Sequence, residues 1–183
     1  MSTERRMDRE DTRALEEFLD CPSLDTFPPL FLVLHPRVHR FFAVRGCQAD
    51  SDELAQDVLL SVYHHGAEVR DRRLFYGWIF QVARNRFLQY LREKKRPEGF
   101  EFTAIGEAAL AAAQGADPLQ DYSFARLIAN VDPLARQILT LRFVDELDYD
   151  EIAFALGIPA GTVKWKVFDA KQRLRAFLTK GKR

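Results

Sequence analysis

The chain has 183 residues, of which 47% are hydrophobic and 30% are charged, and its formal net charge at pH 7 is zero. This composition is typical of a globular protein with one or two domains, and it excludes a disordered chain or a membrane protein. The charged start of the sequence contains no apolar run long enough for a signal peptide or a membrane span, so we expect a cytoplasmic protein without membrane insertion. Cys21 and Cys47 form no CxxC pair, which argues against a disulfide framework or a cysteine zinc site.

The charges are distributed unevenly along the chain. Residues 70–96 contain nine Lys or Arg against two acidic residues, and residues 164–183 contain eight against one. Each segment therefore carries a net charge of +7, and the rest of the chain carries −14. One basic segment alone is as consistent with a solvated helix face as with a binding surface. Two basic segments that both contain aromatic residues favour contact with a nucleic-acid backbone.

Helical periodicity predicts two helices in the first half, DELAQDVLLSVYHH at 52–65 and RRLFYGWIFQVARNRFLQYLREKKR at 72–96. In the second of these, one apolar stripe can line a core: Trp78, Ile79, Val82, Ala83 and Phe87. The same helix carries several cations: Arg84, Arg86, Arg92, Lys94 and Lys95. Rings stack on unpaired bases and cations hold the backbone, so this segment suits single-stranded DNA.

Residues 97–121 separate the two basic segments. They contain five acidic residues and no Lys or Arg, and their Gly, Pro and Ala content with weak periodicity predicts a linker. Val and Ile recur elsewhere at helical rather than alternating spacing, and no strand is indicated. The predicted fold class is all-α, with two small helical domains on either side of a flexible acidic linker.

The second half shows a helix-turn-helix pattern. Asp132 and Pro133 mark the start of a helix that Leu134, Ile138 and Leu141 continue at spacings of four and three. A capping-box start then precedes a short apolar helix: Asp148 with Glu151, followed by Ile152, Ala153 and Leu156. Gly157 supplies the turn, and Pro159 stands where the next helix would begin.

The last helix buries a stripe at spacings of four and three: Val163, Val167, Ala170, Leu174 and Phe177. At 100° per residue Trp165 points away from that stripe, with Thr162 and Phe168 near it and Lys164 and Lys166 at its flanks. Two interpretations remain open. The ring covers a neighbouring helix or the linker, or it belongs to a recognition helix in the major groove.

Two ordered sets of motifs carry a family resemblance. The first is ELAQD at 53–57 with Leu59 and Leu60, then FYGWIFQVARN at 75–85 with Leu91 and Arg92. The second is DYDEIA at 148–153, LGI at 156–158 and GTVK at 161–164. With these residues the chain resembles a bacterial RNA polymerase sigma factor of the extracytoplasmic-function (ECF) group. The first set matches region 2 of that family, and the second matches region 4.

The resemblance implies a domain organisation and a set of partners. The implied domains are an N-terminal extension over 1–25, a region 2 domain over 26–96, the acidic linker over 97–121, and a region 4 helix-turn-helix domain over 122–183. The implied partners are core RNA polymerase, promoter DNA as a duplex at the minus-35 element and melted at the minus-10 element, and an anti-sigma factor. In the family the linker threads toward the RNA exit path, where an anionic segment would mimic nucleic acid.

The resemblance also implies three groups of site residues. Core polymerase would contact an acidic and amide face of the first helix: Glu53, Gln56, Asp57 and Leu60. The melted minus-10 strand would contact aromatic, amide and basic residues: Phe75, Tyr76, Arg84, Asn85, Arg86, Arg92, Lys94 and Lys95. The minus-35 duplex would contact the outer face of the last helix: Thr162, Lys164, Trp165, Lys166, Phe168 and Lys171.

The sequence departs from the family at the last helix. After GTVK the family most often has a small polar residue and an arginine, whereas this chain has Trp165 and Lys166, and Phe168 replaces a usual polar residue. The family's promoter sequence therefore does not transfer, and the outer aromatics could serve DNA or a protein partner. Gln89 similarly stands where an aspartate is common.

Other functions are weaker interpretations. His35 and His39 lie four residues apart and could bind a metal with Cys47, but helical histidines of this kind are usually packing or surface residues, so no metal and no cofactor is expected. No nucleophile, phosphate-loop or catalytic-dyad pattern occurs, so no enzymatic activity is predicted. Two alternatives remain: a stand-alone helix-turn-helix regulator that binds duplex DNA without polymerase, and a protein-interaction module that occupies an antagonist.

Overall fold

The computed structural model describes residues 9–94, residue 128 and residues 131–180. Its helices are α1 (Arg9–Asp20), α2 (Phe27–Ala43), α3 (Ser51–His65), α4 (Phe75–Glu93), α5 (Pro133–Phe143), α6 (Tyr149–Leu156) and α7 (Ala160–Lys180). Two 3-10 turns, Gly66–Glu68 and Arg72–Leu74, connect α3 to α4. No strand occurs among these residues, so the predicted all-α class is confirmed. The predicted linker at 97–121 and Lys95 lie outside the described residues.

Helices α1–α4 form the N-terminal module (residues 9–94), whose core contains phenylalanine rings among Leu, Val, Ile and Ala side chains. Six of these rings are at most 2% exposed: Phe18, Phe41, Phe42, Phe75, Phe80 and Phe87. The ring of Phe41 lies 5.6 Å from that of Phe80 and 6.5 Å from that of Phe87, both edge-on. Edge-to-face packing of this kind adds to the burial of apolar area, so these ring contacts help to hold α2 against α4.

Helix α1 belongs to this core and is not a separate extension. Its side chains Ala14, Leu15 and Phe18 are buried, at the spacing that places them on one helical face. Its polar side joins the module by two ion pairs, because Arg37 contacts Asp11 at 3.1 Å and Arg72 contacts Asp20 at 2.5 Å. The predicted boundary at residue 25 therefore lies too late for residues 11–20, which complete the packing of α2.

Helices α5–α7 form the C-terminal module (residues 131–180), which begins as the sequence predicts. The Asp132 side chain accepts a hydrogen bond from the Ala135 N–H at 3.0 Å, and Pro133 occupies the first turn. Asp132 and Pro133 thus satisfy the first turn of α5, where backbone N–H groups have no partner within the helix.

The helix-turn-helix is also confirmed. The Asp148 carboxylate accepts from the Glu151 N–H at 2.8 Å, and the Glu151 carboxylate accepts from the Asp148 N–H at 2.7 Å, so the capping box at the start of α6 is complete. Gly157 ends α6 with φ of 65°, a left-handed conformation that glycine adopts without cost from a Cβ. Helix α7 begins three residues later at Ala160.

The two modules pack against each other through α4 and α6. Helix α6 lies across the N-terminal part of α4, where Gly77 of α4 meets the backbone of Glu151. The turn after α2 reaches the loop between α5 and α6, where Arg45 pairs with Asp145. The apolar cores of the two modules are therefore continuous in this structure.

Candidate nucleic-acid and partner interfaces

Helix α3 presents the four residues that the resemblance implies for polymerase binding. Glu53, Gln56 and Leu60 are exposed and Asp57 is half-buried, while Leu54, Val58 and Leu59 face the core. The first four are spaced by three and four residues, so they lie on one face of the helix. Leu60 is 56% exposed, which leaves an apolar side chain at the end of an acidic and amide strip.

Asp57 is also bound within the module, which the sequence did not predict. Its Oδ2 accepts from the Arg86 Nε at 2.7 Å, and the Arg86 Nη1 contacts Glu93 at 3.4 Å. Partial burial opposes the charge on Arg86, but the hydrogen bonds and the charges of Asp57 and Glu93 outweigh it and raise the pKa of Arg86. Arg86 therefore joins α4 to α3, and its guanidinium is already occupied by carboxylates.

Phe75 and Tyr76 lie in the interior, contrary to the expectation that they stack on bases. Phe75 is fully buried and its ring lies 6.0 Å from that of Trp78, while Tyr76 is 4% exposed with the Arg37 guanidinium 5.3 Å from its ring. The 3-10 turn Arg72–Leu74 sets the start of α4 so that both rings point inward. Neither ring can stack on an unpaired base while the chain keeps this conformation.

The remaining residues predicted to contact the melted strand differ in their exposure to solvent. Asn85 and Arg92 are exposed, and Lys94 is exposed with its Nζ 3.7 Å from an Asp50 oxygen. Arg84 is half-buried, and its buried Nε donates to no acceptor in residues 9–94 or 131–180. Three of the predicted eight residues, Asn85, Arg92 and Lys94, are therefore exposed along α4 and just after its end.

A cavity of about 460 Å³ opens between the end of α3 and the start of α4. Its lining includes His65, Val69, Arg70, Leu74 and Trp78 from the N-terminal module and Phe154 from α6. The gap between the periodic segments 52–65 and 72–96 marks, in the sequence, the loop that lines this cavity. Nothing in the sequence indicates that Phe154 also lines it. The cavity combines apolar and aromatic side chains with four titratable ones, His65, Glu68, Arg70 and Asp71, so it could hold a ligand that has both a flat ring and polar groups.

The loop of this cavity is fixed by Asp71. Its Oδ1 accepts from the backbone N–H and from the Nε of Arg73, both at 3.1 Å. These hydrogen bonds to the Arg73 side chain and backbone lower the pKa of Asp71, because they favour its charged form. The carboxylate therefore caps the 3-10 turn that precedes α4.

Helix α7 presents the outer face that its periodicity predicts. Val163, Val167 and Ala170 are buried, whereas Trp165 is 58% exposed and Phe168 is 62% exposed. Lys164 and Lys171 are exposed on the same side, and Thr162 is half-buried. The sequence did not indicate Phe143 at the end of α5, which is 51% exposed and has the Lys171 Nζ 5.7 Å from its ring.

Lys166 does not share this outer face. Its Nζ donates to Asp132 Oδ1 at 3.0 Å, so it is attached to the cap of α5, 34 residues away in the sequence. Partial burial opposes ionisation of Asp132, but the hydrogen bond from Ala135 and the Lys166 ammonium outweigh it and lower the pKa of Asp132. Lys166 therefore holds α5 to α7, and its ammonium also lies 5.4 Å from the centre of the Trp165 ring, whereas Lys164 is exposed to solvent.

Comparisons with known proteins identify both halves of the chain. The family described as Sigma-70 region 2 matches residues 30–97, and the family described as Sigma-70, region 4 matches residues 122–174. The chain is 30% identical over 157 residues to the ECF RNA polymerase sigma factor RpoE of Cereibacter sphaeroides, a match that covers 84% of this chain and 86% of that protein. It is 28% identical over 135 residues to the ECF RNA polymerase sigma factor SigM of Bacillus subtilis, covering 72% and 81%.

Two solved structures share the fold. CnrH in complex with the cytosolic domain of CnrY matches with a TM-score of 0.60 and 19% identity, over 93% of this chain and 98% of that chain. The sigma factor RpoE in complex with the anti-sigma factor NepR from Bartonella quintana matches with a TM-score of 0.54 and 20% identity, over 85% and 98%. Among the residues that the structure describes, no helix is both long and apolar enough to cross a membrane.

Proposed function

The chain belongs to the ECF group of RNA polymerase sigma factors, so it binds core RNA polymerase and directs promoter-specific transcription initiation, and we propose how its two modules divide this work. The N-terminal module is region 2, which binds polymerase and the melted minus-10 element. The C-terminal module is region 4, which binds the minus-35 duplex. Residues 97–121 connect them and follow the RNA exit path as an anionic segment. Two regions matched in order favour this function over a stand-alone regulator.

Polymerase binding is assigned to the exposed face of α3. Glu53 and Gln56 supply charge and hydrogen bonds, and Leu60 supplies an exposed apolar side chain on the same face. An apolar side chain beside polar groups is the arrangement in which a few contacts carry most of the affinity. Asp57 belongs to this face while it is paired with Arg86. We therefore assign Arg86 the role of positioning Asp57, and we do not assign it to the DNA-binding surface.

Binding of the melted strand is assigned to the outer side of α4 and the adjoining cavity. Asn85, Arg92 and Lys94 follow the strand, and the cavity beside Trp78 receives an extruded base. Removing a base from the stack costs a few kcal/mol of free energy, and the aromatic and cationic contacts must compensate for that cost. Phe75 and Tyr76 support the start of α4 from inside the core.

Duplex binding is assigned to the outer face of α7. Lys164 and Lys171 contact phosphates, and Trp165 and Phe168 make apolar contact with base edges in the major groove. The same exposed rings are suited to a protein partner, and an anti-sigma factor that covers them is proposed as the antagonist. The protein acts in the cytoplasm and carries no enzymatic activity of its own.

The observation that carries this function is the exposed strip on α3 in a chain that matches both regions. The experiment measures the affinity of purified protein for core RNA polymerase by fluorescence anisotropy. Two exposed leucines provide a matched pair, because Leu60 lies on the strip and Leu24, which is 76% exposed, lies in the loop after α1. Leu60→Glu should weaken binding by tenfold or more, about 1.4 kcal/mol, whereas Leu24→Glu should bind as wild type. Equal affinity of both variants for core polymerase would show that the exposed face of α3 is not part of the interface.

A further inference from the structure

Helix α2 carries a column of rings along the side that packs on α3. Phe31, His35 and His39 follow one another at spacings of four residues, so they lie on one face of the helix. The ring centres of Phe31 and His35 are 5.1 Å apart and those of His35 and His39 are 6.0 Å apart, with interplanar angles of 24° and 28°. This stacking holds the two imidazole rings in nearly parallel planes.

Both imidazoles approach one carboxylate of α3. Asp52 Oδ1 lies 3.7 Å from the Nε2 of His35 and 3.6 Å from the Nε2 of His39. These distances are longer than those of hydrogen bonds, so the contact is weak while the rings are neutral. Histidine is the side chain whose charge changes between about pH 5 and pH 8. Protonation of either ring therefore converts its contact with Asp52 into an ion pair.

His39 is held in the same place in both charge states. Its Nε2 lies 2.8 Å from the Oγ of Ser51, the buried first residue of α3, and this Oγ donates to the Gln48 carbonyl at 2.9 Å. Because the hydroxyl hydrogen is used in the bond to Gln48, the Nε2 of His39 must carry a hydrogen and donate to Ser51. The imidazolium form takes its second hydrogen at Nδ1 and keeps the bond to Ser51. Protonation therefore adds a charge at the start of α3 without requiring a change of fold.

The surroundings of the two rings leave Asp52 as the charged group that responds to them. The positive end of the α3 dipole opposes a cation at this place, and the two carboxylates in the first turn, Asp52 and Glu53, offset it. The other charged groups near this end of α2 are bound elsewhere: Arg37 to Asp11, Arg40 to the Val144 carbonyl, and Asp50 to Tyr90 and Lys94.

Asp52 continues the exposed face of α3 to which we assign polymerase binding. Asp52, Gln56 and Leu60 are all exposed and are spaced by four residues, so Asp52 extends the strip toward the start of the helix. An acidic strip of this kind is complementary to a cationic surface on its partner. Two imidazolium charges beside the strip equal the two negative charges of Asp52 and Glu53. Their appearance would remove most of that complementarity.

We propose that His35 and His39 make the affinity for core polymerase depend on pH, because their protonation neutralises the acidic end of the α3 strip. This inference rests on the proposed assignment of polymerase binding to that strip. At and above about pH 7.5 the rings are neutral and the strip presents its full negative charge. As the pH falls toward about 6, both rings become charged and binding weakens.

The test measures the affinity of the full-length chain for core polymerase by fluorescence anisotropy at pH 8.0 and pH 6.0. Wild type should bind about fivefold more weakly at pH 6.0, a moderate change because the Asp52 side chain is 74% exposed and its interactions are screened by solvent. Salt should reduce this change, since it screens exposed charges. An affinity that does not fall at pH 6.0, or a fall that is the same at about 0.1 M and about 0.5 M salt, would overturn the proposal.

A pair of histidine variants separates these rings from other titrating groups. The double variant His35→Gln with His39→Gln has no titrating ring beside Asp52, so its affinity should change by less than about twofold between the two pH values. His64→Gln is the matched control, because His64 is exposed near the other end of α3, about 18 Å from Asp52 at ~1.5 Å per residue. It should keep the wild-type change with pH. Titration of the polymerase itself acts equally on all variants. A pH dependence that persists in the double variant would contradict the role of the two rings.

A further variant covers the case in which the double variant does not fold, which circular dichroism at both pH values reveals. Asp52→Asn keeps both rings but removes the carboxylate that favours their protonation, so the midpoint of the change in affinity should move to lower pH. An unmoved midpoint would contradict the contact with Asp52. If wild-type protein does not bind core polymerase at either pH, the proposed function fails. If it binds equally at both, only the present inference fails.

Discussion

In the N-terminal module six phenylalanines are at most 2% exposed, whereas in the C-terminal module Phe143, Phe154, Trp165 and Phe168 are between 37% and 62% exposed. The larger module has enough helices to surround its rings. The smaller one builds its core from Ala, Val, Leu and Ile side chains, with Tyr149 packed against it, and exposes these four rings. Small domains bury a lower share of their surface, so aromatic residues on this module are available for partners.

The two modules also differ in what holds their helices in place. The N-terminal module relies on packing between distant aromatic rings, such as Phe41 with Phe80 and Phe87. The C-terminal module relies on local groups, namely the caps at Asp132 and Asp148 and the turn at Gly157. A substitution of a buried ring in the first module should therefore cost more stability than a substitution of a cap in the second.

The largest effect is expected for a core ring. Phe87→Ala should lower the free energy of unfolding of the N-terminal module by about 3–5 kcal/mol, because it removes a fully buried ring and leaves a cavity. Phe168→Ala, at an exposed ring of the other module, should change stability by less than about 0.5 kcal/mol. Urea denaturation followed by circular dichroism measures both. A similar loss of unfolding free energy in the two variants would show that buried and exposed rings contribute equally to stability.

A smaller effect is expected for the cap of α6. Asp148→Ala should destabilise the C-terminal module by about 1 kcal/mol, because the Glu151 N–H loses its acceptor and the capping box is broken. Hydrogen exchange of the α6 amides reports on this module separately. Gln172→Ala, an exposed position on α7, is the control and should leave those rates unchanged. Unchanged protection in Asp148→Ala would show that packing on α4 alone fixes α6.

Two neighbouring lysines sharpen the distinction between binding and structural cations. Lys164→Ala should weaken binding to a minus-35 duplex and reduce the slope of log K against log salt by about 1, as expected when one phosphate contact is lost. Lys166→Ala should leave that slope unchanged, since its ammonium is bound to Asp132. Fluorescence anisotropy of holoenzyme on labelled duplex, titrated with salt, provides both slopes. A reduced slope in Lys166→Ala would show that Lys166 also contacts a DNA phosphate.

The smallest effect concerns pH. The pKa of Asp132 is lower in the folded protein than its ordinary value of 3.8, so its contribution to stability is present above 3.8 and is lost as the pH falls through the lowered pKa. Asp132→Asn keeps a good cap without the charge, and its stability should fall less than that of wild type between pH 5 and pH 3, by a fraction of about 1 kcal/mol. Parallel curves for the two proteins would exclude this contribution.

Local features of the fold were predictable from the sequence. The capping box at Asp148 and Glu151, the proline start at Pro133 and the turn at Gly157 all act within four residues, and the structure has each of them as predicted. The outward position of Trp165 followed from helical periodicity alone. Helix α1 carries its own apolar spacing through Leu15 and Phe18, a local signal within the predicted N-terminal extension.

The unpredicted features depend on residues far apart in the chain. Arg86 pairs with Asp57 across 29 residues and Lys166 with Asp132 across 34, so composition could not separate these cations from free ones. Phe75 and Tyr76 read as surface aromatics because their segment is basic, yet the turn before α4 directs them inward. The pair of Arg45 and Asp145 spans 100 residues and has no local signal.

The division of work between the two modules is tested by a footprint of the reconstituted holoenzyme on promoters recovered from a genomic library, combined with permanganate probing of unpaired thymines. Two protected segments are expected, one at each promoter element, with reactive thymines only in the downstream one. Lys164→Ala should weaken protection of the upstream segment alone. A single short footprint, or protection by the free chain equal to that by the holoenzyme, would contradict two modules that act on separate promoter elements through polymerase.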